Sequence, residues 1–237
     1  MRLLTISTGK VMPLFGNHHP DYKSVASAIV KTQISDLNNP SLIEITKLGV
    51  KGDEQADLSV HGGLEKAIYV YPAEHYPFWN TLLTRETKKS IDLQPGAMGE
   101  NFTIEGLLET EVFVGDQLHI GELKFSVVKL REPCFKFNAK MKYKGAAKAM
   151  LQSGFSGWYL RVNQTGALAA GDAITVVPGA IGAFKKEIIL AVGGFSSDTL
   201  AEDCDITIKI LNNDFFIYHL NSCTNCYNLH KIETKKV

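Results

Sequence analysis

The sequence predicts a mainly β protein in which short strands form a barrel-like core and a few helices pack against it. Three observations support this fold class. Over the first 177 residues, short apolar or alternating segments are separated by glycine turns, as in closed antiparallel sheets. Helical periodicity is confined to a few stretches. The composition, with 45% hydrophobic and 21% charged residues in 237, is enough for a sizeable core.

The first half of the chain supplies three predicted strands and the beginning of a helix. The strand-like segments are 24–32, 43–50 and 66–71. A helix is predicted to begin in the segment 72–79, because proline is tolerated in the first helical turn and Pro72 and Pro77 fall there.

The second half supplies a predicted hairpin, a helix and a closing strand. Segment 112–120 turns at Gly121 into 123–130, where alternate apolar residues share one face. An alanine-rich helix at 145–152 is predicted to end at Ser153-Gly154, since glycine ends helices readily. The closing strand is predicted at 172–177.

The balance of charges and the hydropathy of the chain argue against nucleic acid and membranes as partners. The chain has 25 basic and 25 acidic residues, so a long-range field that attracts nucleic acid or an anionic membrane is not expected. No run of about 18 apolar residues is present, and the N-terminal segment lacks the pattern of a signal peptide. A cytoplasmic location is therefore expected. Four cysteines, three of them in the last 35 residues, do not suggest a disulfide framework.

The strongest candidate for chemistry is Cys134. It follows Pro133, which ends the preceding strand and should place the sulfur on a loop at a sheet edge. Between residues 124 and 148 there are eight basic residues and one acid, Glu132. Nearby cations favour a thiolate, the form that attacks or binds metal, and they also suit a phosphate. The alternative interpretation is that Cys134 is a small, buried, inert side chain.

Two glycine-rich clusters are also candidates for ligand contact. The first, 52–63, ends in His61-Gly62-Gly63, where paired glycines allow a tight turn and close backbone approach. The second contains Gly99-Glu100-Asn101, which offers backbone amides and a side-chain amide. Taken separately, the first is more commonly a polar hairpin loop, and the second is no more than a turn.

Taken in order, these motifs resemble the MOSC domain family, and within it the YiiM-like branch. The resemblance rests on His-Gly-Gly, Gly-Glu-Asn-Phe, Val-Gly-Asp and then Arg-x-Pro-Cys-x-Lys-x-Asn, and it extends to the start of the chain and to Ala170-Gly-Asp-Ala-Ile. It covers nearly all of residues 1–177. What it implies is a MOSC-type β-barrel domain over 1–177 that binds the molybdenum cofactor, a pterin whose dithiolene sulfurs hold the metal.

The resemblance also implies roles for individual residues. Cys134 falls on the family's metal-ligating cysteine, which makes it both the metal ligand and the catalytic residue. The residues that fall in motifs around the cofactor are His61, Gly62, Asn101, Arg131, Lys136 and Asn138. Pyridoxal phosphate is not an expected cofactor.

The activity implied is reduction of N-hydroxylated compounds, such as N-hydroxylated nucleobases, to amines. The reduced metal would accept the hydroxyl oxygen, and two electrons and two protons would complete water formation. The chain has no flavin, nicotinamide or iron–sulfur fingerprint, so an external reductase is expected to supply electrons. A homodimer is compatible with the sequence. Two alternatives remain: sulfur transfer through a persulfide on Cys134, and a cofactor-binding module without activity.

The tail, residues 178–237, departs from the family. Residues 178–218 resemble an internal piece of a processive family-two glycosyltransferase, with Glu202-Asp203 in the position of its catalytic base. The nucleotide-sugar fold and the acceptor motif of those enzymes are missing, and half a site cannot position donor and acceptor. The tail is therefore predicted to be a short α-helical, non-catalytic appendage, with a poorly ordered end from residue 212.

Overall fold

The computed structural model describes residues 1–15, 25–57 and 62–177, together with the backbone of two short strands in the tail. The first eight strands are β1 (Arg2–Thr8), β2 (Met12–Pro13), β3 (Ala26–Ser27), β4 (Thr32–Asp36), β5 (Ile43–Thr46), β6 (Gly49–Val50), β7 (Ile68–Pro72) and β8 (Phe102–Glu105). They are followed by β9 (Gln117–Ile120), β10 (Leu123–Leu130), β11 (Trp158–Val162), β12 (Gly166–Leu168), β13 (Ile174–Val177), β14 (Tyr218–Leu220) and β15 (Leu229–Lys231). The α-helices are α1 (Tyr76–Thr87), α2 (Phe135–Met141) and α3 (Ala146–Ser153).

An eight-stranded, mostly antiparallel sheet forms the body of the molecule, in the order β13-β9-β10-β11-β7-β8-β1-β4. The sheet curls until the chain entering β13 meets β1. There the amide of Leu3 donates to the carbonyl of Asp172 at 2.9 Å, and the amide of Gly171 donates to the carbonyl of Leu3 at 2.8 Å. This contact closes the barrel between β13 and β1, and β4 remains at the end of the strand order. The predicted fold class is confirmed.

Successive side chains of a strand point to opposite faces of the sheet, so the molecule has two hydrophobic cores, one inside the barrel and one between the sheet and the helices. Ile68 and Val70 of β7 point into the barrel, where they join the apolar residues of the other strands. Tyr69 and Tyr71 of the same strand point outward and pack with α1, α2 and α3, where the hydroxyl of Tyr71 accepts a hydrogen bond from Nε1 of Trp79. β7 is therefore buried on both faces, and the outward face becomes a platform for aromatic side chains.

Most elements lie where the sequence predicts them, with one systematic difference. The hairpin β9–β10 turns at Gly121, Pro77 stands in the first turn of α1, and α3 ends at Gly154 in the left-handed conformation. The segments 24–32 and 43–50, each predicted as one strand, are instead broken. The second forms a tight β5–β6 hairpin, because Gly49 adopts a φ of 116° against the backbone of Ala67.

The tail is described only by the backbone of β14 and β15, which pair antiparallel. This pair is a hairpin and not helix, so the prediction of an α-helical appendage is not confirmed there, and the pair falls within the segment predicted to be poorly ordered. The rest of the tail lies outside the described residues. Within the described residues no helix is both long and apolar enough to cross a membrane.

Candidate functional site

An open cleft lies on the outer face of the sheet, beside β7 and β11. Its walls come from the segments around β3 and after β6, the residues just before β7 and β8, the outward tyrosines of β7 and β11, and the loop between β10 and α2. The lining residues are Ser27, Ala28, Ile29, Lys31, Asp53, Glu54, Gln55, Ala56, Lys66, Tyr69, Gly99, Asn101, Arg131, Glu132, Cys134, Lys136 and Tyr159.

Cys134 lies in this cleft with its side chain half-buried and its thiol free. β10 ends at Leu130, and Cys134 is the last residue before α2, with extended backbone (φ −122°, ψ −178°). The sulfur is therefore on a loop at the sheet edge and is accessible from the cleft. The sulfur is not sealed in the apolar interior, as the interpretation of Cys134 as an inert buried side chain would require.

Arg131 forms a rigid cationic wall beside Cys134. Its guanidinium stacks on the rings of Tyr69 and Phe137, 4.6 and 4.9 Å from the ring centres. Nη1 donates to the hydroxyl of Tyr69 at 2.9 Å and to the carbonyl of Met98 at 2.6 Å. In the described part of the chain, Nε and Nη2 have no protein acceptor. These two donors remain available to an anionic ligand.

The charge of Arg131 is fixed. Burial lowers the pKa of Arg131, but Tyr69, Tyr159 and Cys134 together raise it more, so the net shift is upward. Burial also raises the pKa of Tyr69 and Tyr159 above that of a free tyrosine, although Arg131 opposes both shifts. Both phenols are therefore neutral hydrogen-bonding groups in the cleft over the physiological range.

A buried ion pair on the opposite wall was not found from the sequence. Nζ of Lys31 donates to Oδ1 of Asp53 at 2.6 Å, and the two side chains are only 6% and 8% exposed. Oδ1 also accepts the amide of Gly9 at 2.6 Å. Asp53 belongs to the glycine-rich cluster 52–63 that sequence analysis singled out, but nothing in the local pattern distinguishes Lys31 from other strand lysines.

Asn101 connects this pair to the barrel. Its Nδ2 donates to Oδ2 of Asp53 at 2.8 Å and to the carbonyl of Ser7 at 3.2 Å, and its Oδ1 accepts the amide of Tyr69 at 3.1 Å. Both amide hydrogens are thus used within the protein. Asn101 lines the cleft, but its side chain holds β1, β7 and Asp53 together, so its geometry is that of a structural link.

The other predicted cofactor residues separate into two groups. Lys136 lines the cleft, and its Nζ donates to the carbonyl of Ala26 at 3.1 Å. Asn138 does not line it; its Oδ1 accepts the amide of Ala147 at 2.7 Å and so connects α2 to α3. The geometry gives no support to a cofactor contact by Asn138, because its side chain is engaged between two helices.

Of the histidine–diglycine motif at 61–63, the structure describes only the two glycines. His61 lies outside the described residues. Gly62 is not in the lining itself, but it packs against Gln55, which is: an added Cβ on Gly62 would lie 2.3 Å from Oε1 of Gln55. The amide of Gly63 donates to the same oxygen at 2.8 Å. The motif therefore supports one wall of the cleft through Gln55.

With this geometry in view, the comparisons with known proteins identify the family. A family model described as the MOSC domain matches residues 57–175. The chain belongs to the MOSC domain family. It is 36% identical over 169 residues to the uncharacterized protein YflK of Bacillus subtilis, covering 71% of this chain and 70% of that protein. It is 34% identical over 173 residues to the protein YiiM of Escherichia coli, covering 73% and 70%.

Two further comparisons bear on activity and fold. A protein named reductase, from Gibberella moniliformis, is 36% identical over 155 residues, which cover 65% of this chain but only 26% of that larger protein. The crystal structure of YiiM from Geobacillus stearothermophilus shares the fold, with a TM-score of 0.57, 24% identity, and coverage of 88% of this chain and 98% of that one. The glycosyltransferase resemblance of residues 178–218 is not borne out by the comparisons.

Proposed function

We propose that this MOSC domain protein is an oxidoreductase that binds the molybdenum cofactor and reduces N-hydroxylated compounds, such as N-hydroxylated nucleobases, to amines. The observation that carries the proposal is the accessible thiol of Cys134 at the wall of an open, cation-lined cleft. Family membership and the relative named reductase support the oxidoreductase class.

The residues of the cleft fit the cofactor by their chemistry. The thiol of Cys134 is a soft ligand, suited to a metal that is otherwise held by sulfur. The unused Nε and Nη2 donors of Arg131, together with Lys136, suit the phosphate of a pterin cofactor.

In this proposal, bound cofactor supplies the two-electron chemistry, and the chain positions cofactor and substrate. Cys134 holds the metal. Arg131 holds the phosphate in one orientation, because its guanidinium is already fixed by Tyr69 and Met98. Tyr159, on the outward face of β11, offers a ring against which a planar base can stack. An external reductase delivers the electrons.

The proposal predicts that Cys134→Ser removes the metal. Wild-type protein, produced in cells that make the cofactor, should contain close to one molybdenum per chain by elemental analysis. The variant should contain less than about a tenth of that amount, because a hydroxyl is a poor ligand for a soft site. Its reduction of an N-hydroxylated adenine should fall to background.

The matched control is Cys204→Ser, which makes the same change in the tail and should keep both metal and activity. A Cys134→Ser protein that retains its molybdenum would show that another group binds the metal. The sulfur-transfer alternative is separated by mass spectrometry: a gain of one sulfur on Cys134 that thiol reductant removes, in protein without molybdenum, would favour it.

A further inference from the structure

Eight of the residues that line the cleft precede position 57, where the match to the family model begins. All eight belong to two segments, 27–31 and 53–56. Within them, Lys31 and Asp53 form the buried ion pair of the cleft. The N-terminal part of the chain therefore contributes charged groups to the site and not only strands to the barrel.

Reduction of an N-hydroxyl group needs a proton at the oxygen that leaves. Cleavage of the N–O bond without protonation would release hydroxide, whereas protonation releases water. A positioned acid contributes typically about 10²–10⁴-fold to the rate of such a step. This inference rests on the proposed function, and the acid must be one of the groups that line the cleft.

Four groups of the lining that lie close to Cys134 or to Lys31 are unsuited to the task. Arg131 does not release its proton in proteins. Tyr69 donates its hydroxyl proton to the carbonyl of Ser156 at 2.7 Å. Asp53 accepts three hydrogen bonds from within the chain, which occupy both of its carboxyl oxygens. Cys134 is assigned to the metal.

Lys31 has the required properties. Its ammonium group has three N–H donors, and Asp53 uses one of them at 2.6 Å, which leaves two at the wall of the cleft. Burial lowers the pKa of Lys31 below that of a free lysine, although Asp53 partly opposes the shift. The other charged groups close to it are Glu100, which favours its protonated form, and Arg131 and Lys140, which disfavour it.

We infer that Lys31, oriented by Asp53, donates the proton to the departing hydroxyl oxygen of the substrate. As the N–O bond breaks, Lys31 gives one proton to that oxygen and the external reductase supplies two electrons. The products are water and the deprotonated amine, which takes a second proton from solvent. Solvent then reprotonates Lys31 through the mouth of the cleft. The sum is one N-hydroxylamine, two electrons and two protons giving one amine and one water.

Lys31→Arg tests the inference, because arginine keeps the positive charge but does not act as an acid near neutral pH. The variant should bind molybdenum and the amine product as the wild type does, while kcat falls about 100-fold or more. In the wild type, kcat should fall as the pH rises through the lowered pKa of Lys31. That alkaline limb should be absent from the variant.

Three further measurements exclude a merely structural role. Lys31→Ala should regain part of its kcat when methylammonium is added, and Lys31→Arg should not. In cofactor-free protein, the ammonium signal that Lys31→Arg removes from the NMR spectrum should titrate below that of free lysine. Lys51→Arg, in the exposed pair with Glu44, is the matched control and should change neither kcat nor its pH profile.

Turnover by the wild type and by Lys31→Arg, measured side by side, distinguishes failure of the Lys31 role from failure of the proposed function on which it rests. A wild type that reduces the substrate, together with a Lys31→Arg variant within about threefold of its kcat and with the same alkaline limb, overturns the role of Lys31 alone. A wild type with no molybdenum and no turnover overturns the proposed function and this inference with it.

Discussion

Single side chains in the cleft divide their hydrogen-bonding capacity between the fold and a ligand. Arg131 directs Nη1 to the protein and leaves Nε and Nη2 without a protein acceptor in the described residues. Asn101 gives both amide hydrogens to the protein, and Lys31 gives one of three to Asp53. A residue's capacity to bind a ligand is therefore set by the donors that the fold leaves unused.

We predict that Asn101→Ala destabilises the protein by about 3 kcal/mol. The change leaves the amide of Tyr69 and the carbonyl of Ser7 without their side-chain partner, and each unsatisfied buried group costs about 1–3 kcal/mol. Urea unfolding of the cofactor-free protein measures the effect. The control is Asn163→Ala, whose side chain makes one exposed hydrogen bond to Ser126 and should cost less than about 0.5 kcal/mol. Equal effects in the two variants would contradict the structural role of Asn101.

β7 and β11 show how two neighbouring strands position the site. Their inward residues fill the barrel, and their outward residues, Tyr69 and Tyr159, reach the cleft. Gly157, just before β11, keeps the two strands close: it adopts a φ of 63°, and its amide donates to Oε1 of Glu109 at 2.7 Å. Its carbonyl accepts the amide of Arg131 at 3.0 Å, so the same glycine also fixes the loop that leads to Cys134.

Gly157→Ala is expected to destabilise far more than Gly154→Ala. Both glycines have positive φ, 63° and 74°, for which alanine pays about 1–2 kcal/mol. At Gly154 an added Cβ meets no atom within 4 Å, so no further cost is expected. At Gly157 it would lie 2.2 Å from the carbonyl oxygen of Val70, which forces β7 and β11 apart. We expect a loss above about 4 kcal/mol or failure to fold, measured by thermal unfolding. Similar losses at both positions would mean that the strands are less tightly packed than described.

The barrel as a whole is closed by residues that all precede position 178. The contact between β1 and the chain entering β13 joins the two strands of the main sheet that come first and last along the chain, and no described tail residue takes part in it. The division of the chain into a domain at 1–177 and a tail at 178–237 stays a prediction, and this closure is the structural argument for it.

A chain that ends at Val177 should fold and, if the proposed function holds, contain as much molybdenum as the full chain. Its Tm should lie within about 4 °C of the full chain, which corresponds to about 1 kcal/mol for a protein of this size. A chain that ends at Ala170 is the matched control: it lacks β13 and the partners of Leu3, so it should lose cooperative unfolding. Loss of cooperative unfolding in the longer truncation would show that the tail is part of the domain.

The sequence by itself determined the fold class, the family and the loop that bears Cys134. Alternation of apolar residues and the positions of glycine and proline are local, and these fix strands, turns and helix ends without knowledge of distant contacts. Arg131 and Lys136 were found because they are neighbours of Cys134 along the chain. The family was identified from the order of the short motifs along the chain, because the order is specific although each motif alone is not.

Only the tertiary structure decided which polar side chains meet. Lys31 and Asp53 are 22 residues apart, and Asp53 and Asn101 are 48 apart. Their contact depends on how the sheet curls and on where β1, β7 and β8 lie in it, and no local pattern encodes that arrangement. For the same reason Asn138, four residues from Cys134 in sequence, turns away from the cleft to join two helices. The local sequence was enough to place Cys134 on its loop, but the way the barrel closes determines which distant side chains lie in the same cleft.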